Sequence, residues 1–154
     1  QALRQLIEDV AWGNLDYLIV DLPPGTSDVP LTIMQTLQLD GFIVVTTPQT
    51  LSKLDAKRCI NMITKMNVKV LGIVENLSGE VFGSGAGRDL ALELDLPFLA
   101  DFQLRSDYRI EGGPTVLAND QVQREYDHLV NGMVERLETL GHPVAQQEGT
   151  SAQD

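Results

Sequence analysis

The stretch DYLIVDLPPGTSD, residues 16–28, is an apolar run that ends in an acid, two prolines, a glycine and small polar residues. Aliphatic and β-branched residues at positions 18–20 predict a short strand, and Asp21 follows it directly. The prolines stiffen the loop and offer no N–H group, whereas Gly25 allows a close approach of backbone to a ligand. The stretch therefore predicts a buried strand that presents one carboxylate at its carboxyl end.

Similar apolar runs at residues 42–45 and 70–74 alternate with segments of helical spacing. Each run is apolar on both faces, which is typical of parallel strands covered by helices on both sides. The spacing predicts helices at residues 50–66, 88–94 and 121–140 and a further strand at residues 96–99. The expected fold is α/β, a mostly parallel sheet with helices on both faces, in one domain over residues 1–141. Residues 142–154 are polar and are expected to be a disordered tail.

The composition excludes several classes of protein. A formal net charge of −11 disfavours binding to nucleic acid or to an anionic membrane. No apolar run approaches the length of a membrane span, and a single cysteine, Cys59, excludes an internal disulfide. We therefore expect a cytoplasmic domain with no nucleic-acid or membrane partner.

Ligands of open parallel sheets collect at the carboxyl ends of the strands. The polar residues in those positions are Asp21, the turn at residues 46–49, and Glu75 with Asn76. A carboxylate that a strand holds rigidly can bind Mg2+ or its water beside a nucleotide phosphate. Asp21 could equally accept backbone hydrogen bonds in a turn, with Asp28 capping a helix that begins near Val29. The spacing of the residues leaves both interpretations open.

Two segments carry a resemblance to a known family: DYLIVDLPPGTSDVPLTIMQ and DGFIVVTTPQTLSKLDAKRCINMITKMNVKVLGIVENLSG. They resemble the Mrp-type ATPases, cytoplasmic iron-sulfur cluster carriers of the MinD/ParA group of deviant P-loop NTPases. The resemblance extends over residues 15–118. It implies a MinD-like fold, a homodimer, hydrolysis of ATP with Mg2+, and iron-sulfur client proteins. By the same resemblance Asp21 is the Walker B acid, Gly25 lies in the loop that senses the γ-phosphate, and Asn76 reads adenine.

The first departure from the family is the absence of its glycine-rich, lysine-bearing phosphate loop, since no Gly-Lys pair occurs in the chain. We therefore expect the carboxyl-terminal portion of a longer ATPase, incomplete at the N-terminus, which alone binds ATP weakly and does not hydrolyse it. The cluster GSGAGR, residues 83–88, lacks the lysine. It is either an anion-binding nest or a flexible entry to a helix.

The second departure concerns metal. Members of the family that carry a [4Fe-4S] cluster place a Cys-x-x-Cys pair after the strand, but here the stretch is ENLSGEVFGSGAG. Cys59 lies on the apolar face of a predicted helix, and His128 and His142 have no ligand-like spacing. The family's usual cluster ligands are thus missing. The competing interpretations are a positioning ATPase of the ParA/MinD kind and a non-enzymatic remnant that serves as an interaction domain.

Overall fold

The computed structural model describes residues 5, 9–23, 28–109 and 113–141, and at Asp28 and Asp107 it describes the backbone alone. Three strands alternate with helices along the chain, and a 3-10 turn at Ser106–Arg109 follows the last strand. The elements in order are α1 (Asp28–Thr36), β1 (Phe42–Thr46), α2 (Thr50–Lys65), β2 (Val70–Ser78), α3 (Ala86–Leu94), β3 (Phe98–Gln103), α4 (Thr115–Ala118) and α5 (Asp120–Thr139).

The strands form one parallel sheet in the order β1-β2-β3. Val44 pairs with Ile73 across the first junction, and Val74 pairs with Ala100 across the second. The crossover connections run through α2 and α3, as parallel pairing requires. The predicted α/β class with a parallel sheet is confirmed.

Helices cover both faces of this sheet. On one face Ile73 packs with residues of α2 and α3, among them Ile63 and Leu90, in a core cluster that also includes Met34 of α1. On the other face Val74 packs with Phe102, and Leu129 of α5 lies against them. Because successive side chains of a strand point to opposite faces, the neighbours Ile73 and Val74 serve separate cores.

The boundaries of the elements lie close to the predicted ones. The helix expected at 50–66 is α2, that at 88–94 is α3, and that at 121–140 is α5. The last strand runs over Phe98–Gln103 rather than 96–99, because the amide of Leu96 still bonds to the carbonyl of Ala91 in α3 and contact with β2 begins at the carbonyl of Pro97, which accepts from the amide of Ile73. The helix boundaries were thus easier to predict than the start of β3.

The strand expected at residues 18–20 is wrong for the chain as it folds here. These residues have no strand structure, and Ile19 is 81% exposed. A strand needs a neighbour that pairs with its backbone groups, and the described residues offer none beside this run. The expected tail at 142–154 lies outside the described residues.

Helices α2 and α3 are tied together on the surface. Glu93 of α3 accepts a hydrogen bond from Lys57 and lies 3.7 Å from the ammonium of Lys53. The hydrogen bond and the charge of Lys57, with a smaller effect of Lys53, lower the pKa of the Glu93 carboxyl. In the described ranges no helix is both long and apolar enough to cross a lipid bilayer.

Candidate functional site at the carboxyl ends of the strands

The carboxyl ends of β1 and β2 bring polar residues to one edge of the sheet. Thr46, the last residue of β1, is buried and pairs with Glu75 of β2. The turn after it is closed by side chains, since the hydroxyl of Thr47 donates to Oε1 of Gln49 at 3.2 Å. This edge is where ligands of open parallel sheets bind, so its side chains define the candidate site.

Asn76 lies at this edge with an exposed side chain. Its Oδ1 accepts a hydrogen bond from the amide of Leu77 at 2.8 Å, which fixes the plane of the carboxamide. Leu77 has a φ of 60°, a left-handed conformation at the irregularity in the pairing of β2 with β3 between Asn76 and Ser78. Among the described residues nothing accepts from the Asn76 amide group, so both its N–H donors and one oxygen lone pair face solvent.

Glu75, which the sequence marks only as a polar residue at the end of a strand, has a structural role that its position did not predict. Its side chain is 1% exposed, and its carboxylate accepts two backbone hydrogen bonds, from Gly85 at 2.7 Å and from Gly87 at 2.5 Å. Gly85 is the residue just before α3 and Gly87 lies in its first turn, where amides have no partner within the helix. Gly85 precedes the helix with a φ of 98° and has no side chain to cap it. The carboxylate of Glu75 therefore caps α3 from the neighbouring strand.

This contact decides between the two interpretations of GSGAGR. The segment does form an anion-binding concavity at a helix N-terminus, but the anion is the protein's own carboxylate. The fit is close at Gly87, where an added Cβ would lie 3.0 Å from Cβ of Glu75 and 3.3 Å from Cε2 of Phe98. These amides are consequently not available to a phosphate group.

The structure does not test the roles predicted for Asp21 and Gly25. The carboxylate of Asp21 is exposed, and it follows the irregular residues 18–20 rather than a strand. Gly25 lies outside the described residues. No hydrogen bond or ion pair joins Asp21 to Asn76 in the part of the chain that the structure describes. The structure thus leaves the predicted roles of Asp21 and Gly25 as predictions.

The donor groups present fit part of a magnesium nucleotide. Asn76 offers the donors and the acceptor that a purine edge requires. Asp21 offers one accessible carboxylate, and Mg2+ is commonly held by one or two carboxylates with waters and substrate phosphates. The described residues contain no group of three His, Cys, Asp or Glu side chains that could hold a metal by itself. The amides of Gly85 and Gly87 at the start of α3 are already bonded to Glu75, so this part of the described chain offers no cradle to the phosphates.

The loop between β2 and α3 is where the resemblance places cluster ligands. Gly79 and Gly83 exchange two backbone hydrogen bonds of 2.8 Å, which closes a short hairpin with Val81 and Phe82 exposed at its tip. Cys59 is elsewhere, half-buried on α2, and burial raises the pKa of its thiol. His128 is exposed on α5, and His142 lies outside the described residues.

A parallel sheet with helices on both faces and polar residues at its carboxyl edge is the architecture of open α/β proteins, whose ligands bind at that edge. Residues 1–137 match the family described as ParA, NUBPL iron-transfer P-loop NTPase. The chain belongs to this family of P-loop NTPases, which confirms the resemblance seen in the sequence.

Similar proteins agree with this assignment. The iron-sulfur cluster carrier protein of Methanocaldococcus jannaschii is 41% identical over 151 residues, which cover 89% of this chain and 52% of that protein. The iron-sulfur cluster transfer protein NUBPL of Mus musculus is 37% identical over 153 residues, covering 90% of this chain and 48% of that protein. The chain thus spans about half the length of these relatives.

A solved structure shares the fold. It is a nucleotide-binding protein of Archaeoglobus fulgidus in complex with ADP and with cobalt, 33% identical, and it aligns with a TM-score of 0.60. The alignment covers 80% of this chain and 54% of that one.

Proposed function

We propose that this chain is the nucleotide-binding portion of an ATP-hydrolysing iron-sulfur cluster carrier or assembly factor. Residues 1–141 then form the later part of a P-loop ATPase domain, which acts as a cytoplasmic homodimer and serves iron-sulfur client proteins. The observation that carries the proposal is the exposed carboxamide of Asn76, which is held at the end of β2 with its N–H donors free. The names of the relatives support the cargo, an iron-sulfur cluster.

The residues of the chain divide the work in this proposal. Asn76 binds the adenine edge, donating through its amide and accepting through Oδ1. Asp21 would hold Mg2+ directly or through a water, and Gly25 would belong to the loop that senses the γ-phosphate. When bound, Mg2+ neutralises charge on the phosphates during attack by water. The buried carboxylate of Glu75 keeps α3 and the end of β2 in register behind Asn76.

Two substitutions in a protein that carries a phosphate loop upstream of this chain test the division of work. Asn76→Ala should weaken ATP binding by about tenfold and reduce the preference for ATP over GTP, because one or two hydrogen bonds to the base are lost. Asn61→Ala, at an exposed position of α2, is the matched control. Isothermal titration with each nucleotide measures both effects. Equal affinity of Asn76→Ala and the parent would refute the adenine contact.

Asp21→Asn should lower the rate of phosphate release by roughly a hundredfold while leaving ATP affinity nearly unchanged, because the carboxylate acts through the metal. Asp16→Asn, an exposed acid five residues earlier, is the control. Unchanged turnover of Asp21→Asn would refute the Walker B role. No phosphate release by the parent protein itself, together with weaker ATP binding by Asn76→Ala, would leave a nucleotide-binding interaction domain as the function.

A further inference from the structure

The outer edge of β3 is open. In the three-stranded sheet β3 is a terminal strand, and among the described residues it pairs with β2 alone. Alternate residues of β3 therefore direct their backbone N–H and C=O groups away from the sheet. Such an edge is a template for another extended chain unless a side chain, bulge or helix covers it.

A groove of about 420 Å³ runs along this edge. Residues 98–101 line it in succession, together with Arg88 of α3 and residues of α5 that include Arg124 and His128. Because neighbouring side chains of a strand point to opposite faces, four consecutive residues can line one groove only where it passes the edge of the strand. Helices α3 and α5 lie on opposite faces of the sheet, so they form the two walls.

The walls carry positive charge that the described residues leave unpaired. The guanidinium of Arg88 stacks over the ring of Phe98, 4.4 Å from its centroid, and has no carboxylate partner among those residues. Arg124, on the opposite wall, likewise has none within the described ranges. The cation–π contact holds Arg88 beside the strand edge, where its N–H groups stay available.

The acids of the groove do not cancel these arginines. Oε1 of Glu125 already accepts from Nη1 of Arg105 at 3.1 Å and from Nε2 of Gln121 at 3.2 Å. Asp101 is a single exposed acid, with a weak contact of 3.5 Å from the hydroxyl of Ser78. With Arg105 counted beside its partner Glu125, three guanidinium groups stand against the two carboxylates of Asp101 and Glu125, so the groove keeps a local positive excess of one on a chain whose formal charge is −11. At physiological salt the acidic side chains farther than about 8 Å from the groove are screened, so Arg88 and Arg124 determine which charges the groove attracts.

We propose that the open edge of β3, between Arg88 and Arg124, is a docking site for an extended segment of a partner protein that carries two consecutive acidic residues. The segment adds a strand to the sheet, and its backbone pairs with that of β3. Side chains of the added strand alternate between the α3 side and the α5 side, so adjacent acids meet Arg88 and Arg124 respectively. The six residues of β3 span about 20 Å, which matches a segment of about six residues.

The probe is a fluorescein-labelled peptide, Val-Thr-Glu-Glu-Val-Thr, titrated with the whole chain and followed by fluorescence anisotropy. We expect binding to the parent chain, and at least about tenfold weaker binding to the double variant Arg88→Glu, Arg124→Glu. Arg58→Glu, an exposed arginine of α2 outside the groove, should bind like the parent. Both arginines of the groove are exposed, and thermal unfolding confirms that the variants fold.

Two altered peptides separate charge from strand addition. Replacing the two glutamates by lysines should weaken binding by about tenfold or more, and N-methylation of alternate backbone amides should weaken it comparably by blocking the pairing. Binding that is unaffected by N-methylation, equal binding of the lysine peptide, or no binding of the glutamate peptide at millimolar concentration would each overturn the proposal. Sedimentation velocity shows whether two copies pair through β3; a dimer that the peptide dissociates would overturn the partner segment in favour of a second copy.

Discussion

Replacing Glu75 by glutamine should destabilise the fold, although the two side chains have nearly the same shape. The carboxylate is buried and accepts from two backbone amides, those of Gly85 and Gly87. Glutamine keeps one acceptor oxygen, which can bond to one of the two backbone N–H groups. Its NH2 group would face the other backbone N–H, and two donors cannot form a hydrogen bond. One buried amide is then left without a partner.

The size of the effect follows from these bonds. A hydrogen bond to a charged acceptor contributes about 1.5–3 kcal/mol, and a buried donor left unsatisfied costs about 1–3 kcal/mol. One bond is lost and the other becomes neutral, so the free energy of unfolding should fall by about 2–4 kcal/mol. For a domain with a total stability of about 5–15 kcal/mol this is a large fraction.

Urea unfolding monitored by circular dichroism measures the change. With a slope of about 2 kcal/mol per molar urea, the midpoint of Glu75→Gln should fall by about 1–2 M at an unchanged slope. The matched control is Glu80→Gln, an exposed acid in the same loop, which should stay within about 0.5 kcal/mol of the parent. Hydrogen exchange of the Gly85 and Gly87 amides should accelerate in Glu75→Gln alone. A Glu75→Gln midpoint equal to that of Glu80→Gln would refute the capping role.

Further outcomes are expected elsewhere in the chain. Gly87→Ala should cost about 1–3 kcal/mol by crowding Glu75, whereas Gly132→Ala, whose Cβ would lie 3.5 Å from Leu99, should be neutral or stabilising in the same urea assay. The thiol of Cys59 should react with iodoacetamide more slowly in the folded than in the urea-unfolded chain, because burial raises its pKa. By the same shift, the contribution of Cys59 to the free energy of unfolding is fully present below about pH 8.5, the pKa of an unperturbed thiol, and declines as the pH rises through the higher pKa of the folded state. The loop at residues 77–87 should hold no [4Fe-4S] cluster after anaerobic reconstitution of a full-length variant whose upstream cysteines are serine, and a brown, absorbing species in that variant would contradict the expectation.

Local periodicity was enough to predict the helices α2, α3 and α5 and the parallel arrangement of β1, β2 and β3. The stripe of α2, with Ala56, Ile60 and Ile63 buried, follows directly from its spacing in the sequence. Asn76 could be singled out from its position after an apolar run and from the resemblance to the family. The apolar stripe of α2 and the position of Asn76 each depend on a few neighbouring residues, so the sequence alone is enough to recognise them.

Contacts between distant residues could not be predicted in this way. The bonds of Glu75 reach ten and twelve residues along the chain, and no periodic pattern marks them. The one available signal was an acid inside an apolar strand ahead of a glycine-rich segment. The failure at residues 18–20 has a related cause, because their apolar composition predicts a strand but does not supply the neighbour with which it must pair.

The same end of β2 serves two purposes because strand side chains alternate. Glu75 points inward and caps α3, while Asn76 points outward with its amide exposed. The cap ties α3 directly to β2, and the Gly79–Gly83 hairpin closes the intervening loop on itself. The position of Asn76 is therefore set by β2 and Glu75 rather than by residues 80–82 at the hairpin tip. This tip can change in length or lose metal-binding residues without moving the proposed adenine contact, so the absence of the Cys-x-x-Cys pair is compatible with the proposed nucleotide site.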